Sequence, residues 1–442
     1  MKILVIGAGG REHAIIRKLK ENPDVTAVYA LPGNGGIAQD AVCVPGGDVD
    51  AAVHFAVKHG MDFVVVSPDG PLCAGMTDAL EAAGVPAFGP SKAAAALEGS
   101  KIFAKELMRK YDIPTAAWAA FDDPDEARAY LRRAAPPCVI KADGPALGKG
   151  SRVCHTMEEA LDAVAACMER RVFGESGARI VIEECLTGPE VSVLTFTDGE
   201  TIAPMISAMD HKRALDNDEG PNTGGMGAVA PILFYTPDRQ AECMERIFQP
   251  TVRAMRMEGR PFKGCLYFGL MLTPQGPKVI EYNARFGDPE AQTILPLMQN
   301  DLLTVMRAVR DGRLADAPPR FRPMHSCCVV LASGGYPGPV QTGFPIHGLN
   351  ADGQISLPGA TIFHAGVKQE RGHYVTAGGR VLSVVYTSET LAGAIDGAYQ
   401  AAYEISFEEM QVRRDIGQAA RRAWEDTEAR PILQQPEVRP CP

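Results

Sequence analysis

The period of the apolar positions changes along the chain, and each change marks an element. Over residues 1–90 short apolar runs alternate with amphipathic stretches. Strands are predicted at Lys2–Ile6, Val25–Ala30, Asp62–Ser67 and Pro86–Phe88, and helices at Glu12–Lys20, Ala51–Lys58 and Thr77–Ala83. This β-α-β alternation implies an open parallel sheet. Its loops at the strand C-terminal ends are Gly7–Gly10, Pro32–Gly36 and Ser67–Leu72, the edge where open α/β sheets bind ligands. Gly99-Ser100-Lys101 then opens a helix that runs through Arg109 and ends before Ile113-Pro114.

Beyond it the pattern is that of a small α+β unit, with strands at Cys138–Ala142, Arg152–His155 and Arg179–Glu184 and helices at Pro124–Arg133 and Met157–Arg170. Strands resume at Val191–Thr197 and Ile202–Ala208, followed by a long polar loop, Asp210–Gly227. A helix at Arg239–Met257 precedes strands at Gly264–Thr273 and Lys278–Asn283. Residues 311–323, rich in proline and arginine, are expected to be a linker. A third unit follows, with strands near Cys327–Ala332, Thr361–Gly366, Tyr374–Ala377 and Val381–Thr387 and a helix at Thr390–Glu404. The last twenty residues are rich in proline and charge and are expected to fray. The expected boundaries are 1–100, 101–310 with the small unit at about 115–187, 324–422, and a tail at 423–442.

Composition narrows the function. The chain has 442 residues, 46% hydrophobic and 22% charged, an ordinary balance for a soluble globular protein of about three domains. A net charge of −10 argues against nucleic acid or an anionic membrane as partner, and no apolar run approaches the roughly 20 residues of a membrane span. MKILVIGAGG is read as a first strand and not as a signal peptide. The 11 cysteines show no CxxC spacing and are read as reduced thiols in the cytoplasm.

The most informative chemistry lies in VIEYNARFGDPE (279–290). Alternation along a strand puts Glu281 and Asn283 on one face, a carboxylate and an amide oxygen suited to Mg²⁺ (or Mn²⁺) together with water and phosphate oxygens. Arg285, two residues on, can hold an anion beside them. The plainer alternative for Glu281 is a satisfied acid at a strand end. GAGGREH (7–13) opens a helix after a strand, where backbone N–H groups favour an anion. The dinucleotide fingerprint fails, because Glu12 stands where its third glycine belongs, so a smaller phosphate-bearing ligand is expected beside the Asn34-Gly35-Gly36 loop.

DGPALGKGS (143–151) misses the P-loop spacing by one residue and lies between strands, so it reads as a glycine-rich flap with one lysine. A lone Gly-Lys-Gly is more simply a solvated turn. Lys101 and Lys141 stand in apolar or small surroundings. They are either snorkelling lysines or cations for nucleotide phosphates. VIEECLTGPE (181–190) is a strand running into a turn, and adenine sites often use such a connector. Its acid for the ribose hydroxyls would be Glu190, although a solvated acid pair is common at a strand end. The loop that starts Asp210-His211-Lys212-Arg213 can meet an anionic, amine-bearing substrate, with His211 equally suited to a structural hydrogen bond.

Taken in order, these features resemble the ATP-grasp ligases, and within them the phosphoribosylamine–glycine ligase family of purine biosynthesis, over residues 1–422. GPNTGGMGA (220–228) and RFGDPEAQ (285–292) are the most specific stretches, with LEGSK (97–101), PGNGG (32–36), GGYPG (334–338) and HAG (364–366) in support. The resemblance implies an α/β fold: a Rossmann-like N-terminal domain, an ATP-grasp domain with an α+β lid, and a C-terminal mixed β/α domain. It implies ATP contacts from Lys101, Lys141, Gly148, Lys149, Gly150, the connector residues Glu183, Glu184 and Leu186, and Glu190. Glu281 and Asn283 would hold the metal, and Arg285 and Lys141 would serve catalysis. Gly9, Gly10, Arg11, Asn34, Gly35, Asp210, Lys212 and Arg285 would face the substrates.

The implied reaction is ATP-dependent ligation of glycine to 5-phosphoribosylamine in the cytoplasm, by a monomer or weak homodimer acting on small molecules alone. The chain departs from the family at Pro145 in the flap and at Ser67, Asp69 and Gly70 in the third loop. It also has no second metal acid in GCLYFGLML (264–272). Another ligase of the same superfamily and a non-catalytic nucleotide-binding protein are the alternatives.

Overall fold

A computed structural model describes residues 1–146, 149–425 and 439–441. The first sheet is five-stranded and parallel, in the order Val42–Cys43, Ala27–Pro32, Lys2–Gly7, Phe63–Val66, Ala87–Phe88. Its central strands are apolar at nearly every position, as a sheet covered on both faces requires. The helices start and stop where their ends can be satisfied. Asp48 accepts from Ala51 N at 2.7 Å to cap Val49–His59, which ends at Gly60 with φ +61°.

A second sheet is antiparallel, in the order Gly276–Asn283, Gly264–Thr273, Glu190–Thr197, Thr201–Pro204, Arg439–Pro440. Of the tail expected to fray, residues 426–438 lie outside the described residues, while 439–441 are placed against this sheet. Arg439 and Pro440 pair with Ile202 and Thr201, Gln249 Nε2 donates to Pro440 O at 2.7 Å, and Cys441 is buried. The open edge of Thr201–Pro204 offers backbone groups that a returning segment can satisfy. The helix Gln418–Glu425 also runs past the expected end at 422.

The stretch 210–227, expected as a structureless loop, is organised. Arg213–Leu215 and Glu219–Asn222 form a hairpin, and Met209–Asp210 and Gly227–Ala230 pair with each other. Gly227–Ala230 then pairs with His325–Ser333, so these strands extend the sheet that holds Arg380–Ser388 and Ala360–His364. Glycine spacing hides this, because strand propensity is low in such a segment and its pairing partner is remote in sequence.

The small unit is a four-stranded sheet, Trp118–Phe121, Ile180–Glu184, Cys138–Ala142, Ser151–Cys154, with helices Pro124–Ala134 and Met157–Val164. Its apolar cluster, including Leu131, Ile140, Val164, Ile180 and Ile182, is separate from the clusters that bind the rest together. One of those clusters joins Ile3, Phe196, Val330 and Phe363 from the three larger sheets with Ile16 and Leu303 from helices.

The glycine loops of the first sheet are packed against the C-terminal strands. Asn34 Nδ2 donates to Ala8 O at 2.9 Å and to His364 O at 2.8 Å, while its Oδ1 accepts from Gly36 N and Ile37 N. His13 Nδ1 accepts from His364 N at 2.9 Å, so its Nε2 carries the proton toward Asp40 at 3.0 Å. Burial lowers the His13 pKa to about 4, which keeps the ring neutral at this junction. A methyl group added at Gly36 would collide with the buried His364 ring. Gly36→Ala is therefore expected to cost about 1–3 kcal/mol by overpacking, read as a lower unfolding midpoint. An unchanged midpoint would contradict this packing account.

Candidate active site

The strand Gly276–Asn283 carries the centre of the site. Glu281 pairs with Gly269 and Asn283 with Tyr267, in regular register over that stretch, so the two side chains share a face as expected. Tyr282 between them turns into the core. A register shift between Gly269 and Leu270 leaves Ile280 without a ladder partner, and its carbonyl accepts from Lys141 Nζ at 2.8 Å. The lid strand Cys138–Ala142 is thereby joined to the strand that carries Glu281.

Cations surround Glu281. Lys212 Nζ lies 3.5 Å from Glu281 Oε1 and 3.3 Å from Glu190 Oε2. Burial pushes the Glu281 carboxyl up, but Lys212, Lys141, Lys101 and Arg285 together bring its pKa down to about 2. It is therefore an ionised carboxylate at neutral pH. Burial works against the charge of Lys212 too, and Glu190 and Glu281 hold its pKa well above the ordinary value. Arg285 donates to Asn283 Oδ1 at 3.3 Å and to Phe286 O at 3.2 Å, and pairs with Glu98 Oε1 at 3.1 Å. Glu98 Oε2 accepts from Ala284 N at 2.6 Å, so one acid fixes both the guanidinium and its backbone.

The expected ATP-side residues fall into separate settings. Lys141 Nζ lies 3.0 Å from Glu183 Oε1, and Lys105 Nζ lies 2.9 Å from Glu183 Oε2. All three side chains are at most 4% exposed. Glu183 thus points inward, while Glu184 is exposed, accepts from Ala117 N at 3.2 Å and lies 3.5 Å from Lys278 Nζ. Leu186 is half-buried and Glu190 exposed. Lys101 N donates to Asp143 O at 3.0 Å, and Asp143 Oδ1 accepts from Ser100 Oγ and Ile102 N at 2.8 Å each, which ties the base of the flap to the start of that helix.

Gly148 lies outside the described residues. Lys149 Nζ donates to Pro337 O at 2.7 Å, and Gly150 is buried with Ala142 N donating to its carbonyl at 2.8 Å.

The substrate-side residues also divide. Arg11 is 8% exposed, held by Glu12 Oε1 at 2.6 Å and Phe286 O at 3.1 Å. Gly9 N donates to Glu12 Oε2 at 2.6 Å, and a methyl group at Gly10 would sit 2.7 Å from Gln292 Nε2. Gly35 N donates to Val367 O at 2.9 Å. The side chains of Arg11 and Asn34 are therefore committed to internal partners, whereas Asp210 is not. Its Oδ1 is buried without a hydrogen-bond partner, and burial with Glu290 nearby raises its pKa well above the carboxylate range. His211 donates or accepts only structurally, at Gly227 O and Gly417 N, and burial lowers its pKa to about 4.

Sequence reasoning missed Lys105, Glu98 and Arg380. Lys105 stands one helical turn after Lys101, on the same face, which is the one signal for it. Glu98 lies inside the LEGSK motif. Arg380 has no local signal. Its Nη1 donates to Gly224 O at 2.7 Å and Asp288 O at 2.8 Å, and its Nη2 pairs with Asp288 Oδ2 at 3.2 Å, so it joins the 220–228 and 285–292 motifs.

Among the described residues no group of three or more His, Cys, Asp or Glu side chains is arranged as a metal site. What the strand offers is Glu281 with Asn283 on one face, one ionised carboxylate and one amide oxygen. Their present partners at 3.5 and 3.3 Å are loosely held. Two hard oxygens of this kind are of the type that Mg²⁺ or Mn²⁺ takes beside phosphate and water.

The same architecture occurs in proteins of known identity. A phosphoribosylamine–glycine ligase from Thermotoga maritima superposes with a TM-score of 0.82 at 33% identity, covering 94% of this chain and all of that one. The biotin carboxylase domain of Hydrogenobacter thermophilus 2-oxoglutarate carboxylase, solved with MgADP, ADP and bicarbonate, gives a TM-score of 0.72 at 17% identity and shares the fold. In sequence, the phosphoribosylamine–glycine ligase of Rhodopirellula baltica is 46% identical over 95% of this chain and 97% of its own length. That of Caldanaerobacter subterraneus is 44% identical over 94% and 99%. Residues 1–98, 99–291 and 326–419 match the family models described as the N domain, the ATP-grasp (A) domain and the C domain of phosphoribosylglycinamide synthetase. The chain belongs to the phosphoribosylglycinamide synthetase family.

Proposed function

We propose that this chain ligates glycine to 5-phosphoribosylamine with cleavage of ATP to ADP and phosphate, giving glycinamide ribonucleotide. The observation that carries this reading is the ionised Glu281 beside Asn283, with Lys212 within 3.5 Å, Lys141 bonded to the preceding carbonyl and Arg285 bonded to Asn283. Such an array suits phosphoryl transfer, in which negative charge must be gathered and neutralised away from water.

A glycine carboxylate oxygen attacks the γ-phosphorus, and ADP leaves. The amine of phosphoribosylamine then attacks the acyl carbon of the glycyl phosphate, and inorganic phosphate departs with that carboxylate oxygen. No protein nucleophile is required. Lys101, Lys141 and the flap at 148–150 serve the ATP phosphates, and Arg285 serves the transferred phosphoryl group or the glycine carboxylate. Glu183 faces the two buried lysines, so the connector at 183–186 is left to read adenine through its backbone, with Glu190 for the ribose. Glu281 and Asn283 are the residues that would hold Mg²⁺ or Mn²⁺, which when bound supplies further neutralisation of phosphate charge. Asp210 and Lys212 lie on the substrate side, with the 7–13 and 32–36 loops toward phosphoribosylamine.

The units 1–100, 101–310 with its lid at about 115–187, and 324–422 divide this work among them. No helix among the described residues is long and apolar enough to cross a membrane. We place the reaction in the cytoplasm, on small molecules alone, in a monomer or weak homodimer.

ADP release from Mg-ATP is expected only when glycine and phosphoribosylamine, generated from ribose 5-phosphate and ammonia, are both present. Bound ATP with no release under any combination would contradict the reading. Glu281→Gln should lower turnover by orders of magnitude while the purified variant remains folded, and near-normal turnover would remove Glu281 from the metal assignment. Glu98→Gln withdraws the charge that holds Arg285. A ten- to hundredfold fall in kcat/KM for glycine is expected, about 1.4–2.8 kcal/mol, and a value within twofold of the parent would show that Arg285 needs no such support.

A further inference from the structure

Lys105 belongs to none of the motifs above and is buried, yet its contacts close a ring. Thr115 Oγ1 donates to Val279 O at 2.7 Å and accepts from Lys105 Nζ at 2.8 Å. Lys105 then meets Glu183 Oε2 at 2.9 Å, Glu183 Oε1 meets Lys141 at 3.0 Å, and Lys141 donates to Ile280 O at 2.8 Å. The ring begins and ends on adjacent residues of the strand that carries Glu281. It takes in the helix Lys101–Lys110 and both central lid strands.

We propose that Lys105 is a positioning residue for ATP, which it serves by sharing Glu183 with Lys141, so that Lys141 is held in place and its charge is left over for the phosphates. This inference rests on the ATP reading given above. The charge count supplies the reason. Glu183 with Lys141 alone is neutral and would give a polyanion little to bind. Glu183 with both lysines carries one net positive charge at the base of the lid. A purely structural anchor would need only the hydrogen bonds, which a neutral lysine keeps in part.

The surroundings of Lys105 make this charge sensitive to pH. Glu183, Lys141 and Glu184 are the charged groups that act on it, and Thr115 is its neutral partner. Burial lowers its pKa to about 8 in spite of Glu183. Below that value the group is protonated and the net charge is present. Above it the proton is lost, and Glu183 cancels Lys141. ATP binding by the parent protein should hold steady between neutral pH and about pH 8. It should then weaken by about tenfold in all and level off, the loss that one unit of nearby charge accounts for.

The test is ATP affinity by calorimetry and KM for ATP across this range, for the parent, Lys105→Arg and Lys105→Met. Arginine stays charged, so Lys105→Arg should bind ATP near the parent's neutral-pH level and lose the fall above pH 8. Lys105→Met should raise KM for ATP about tenfold at neutral pH, by removal of one unit of nearby charge, with kcat changed far less and no inflection near pH 8. A folded Lys105→Met with the parent's KM and pH profile overturns the proposal. If the methionine variant does not fold, Lys105→Arg decides alone, and retention of the parent's fall above pH 8 overturns it. A parent protein that binds no ATP at neutral pH overturns the ATP reading itself, and the inference with it.

Discussion

A carboxylate in a dry interior must be met by cations, and Glu183 is met by two. The lid has an apolar cluster of its own, separate from those that hold the three large sheets together. At the active site its attachment is therefore polar. Lys105, Glu183 and Lys141 tie the two inner lid strands to the strand of Glu281, and Asp143 ties the flap base to the Ser100–Ile102 turn. Removing one member of such a buried group leaves an uncompensated charge, which is costly out of proportion to the hydrogen bond lost. The lid can be a separate unit and still deliver Lys141 to one place.

The same logic extends outward as a set of long-range ties. Glu98 fixes Arg285, Glu12 fixes Arg11, and Arg380 fixes two motif loops that are far apart in the chain. Several motif glycines follow from these ties. A side chain at Gly10 would displace the amide of Gln292, and Gly225 lies against Asp210 and Pro289 with φ +111°, where no side chain fits. Part of what makes the sequence recognisable is thus the packing of three units around one centre, beside any contact with a ligand.

This explains what the sequence made legible. The parallel sheet and the lid elements could be read because strand and helix periods are local signals. Glu281 and Asn283 could be placed on one face because strand alternation alone requires it. Strand pairing of 227–230 with 325–333, and of the 439–440 segment with 201–202, could not be read, since both depend on partners remote in sequence. Asn34 and Arg11 stand in loops that look made for a ligand, and their side chains are taken up by His364, Ala8, Glu12 and Phe286. Arg380 carries its meaning only through tertiary contacts, and for Lys105 and Glu98 the local signals of helical spacing and the LEGSK motif do not say which partner each meets.

The central claim is that these gathered charges move a phosphoryl group onto the glycine carboxylate before the amide forms. Glycine labelled with ¹⁸O in both carboxylate positions tests it most directly, with the released phosphate analysed by mass. The account predicts that each phosphate formed in turnover carries one ¹⁸O from glycine and that the product amide keeps the other. Phosphate free of label, with an oxygen from solvent in its place, would contradict it.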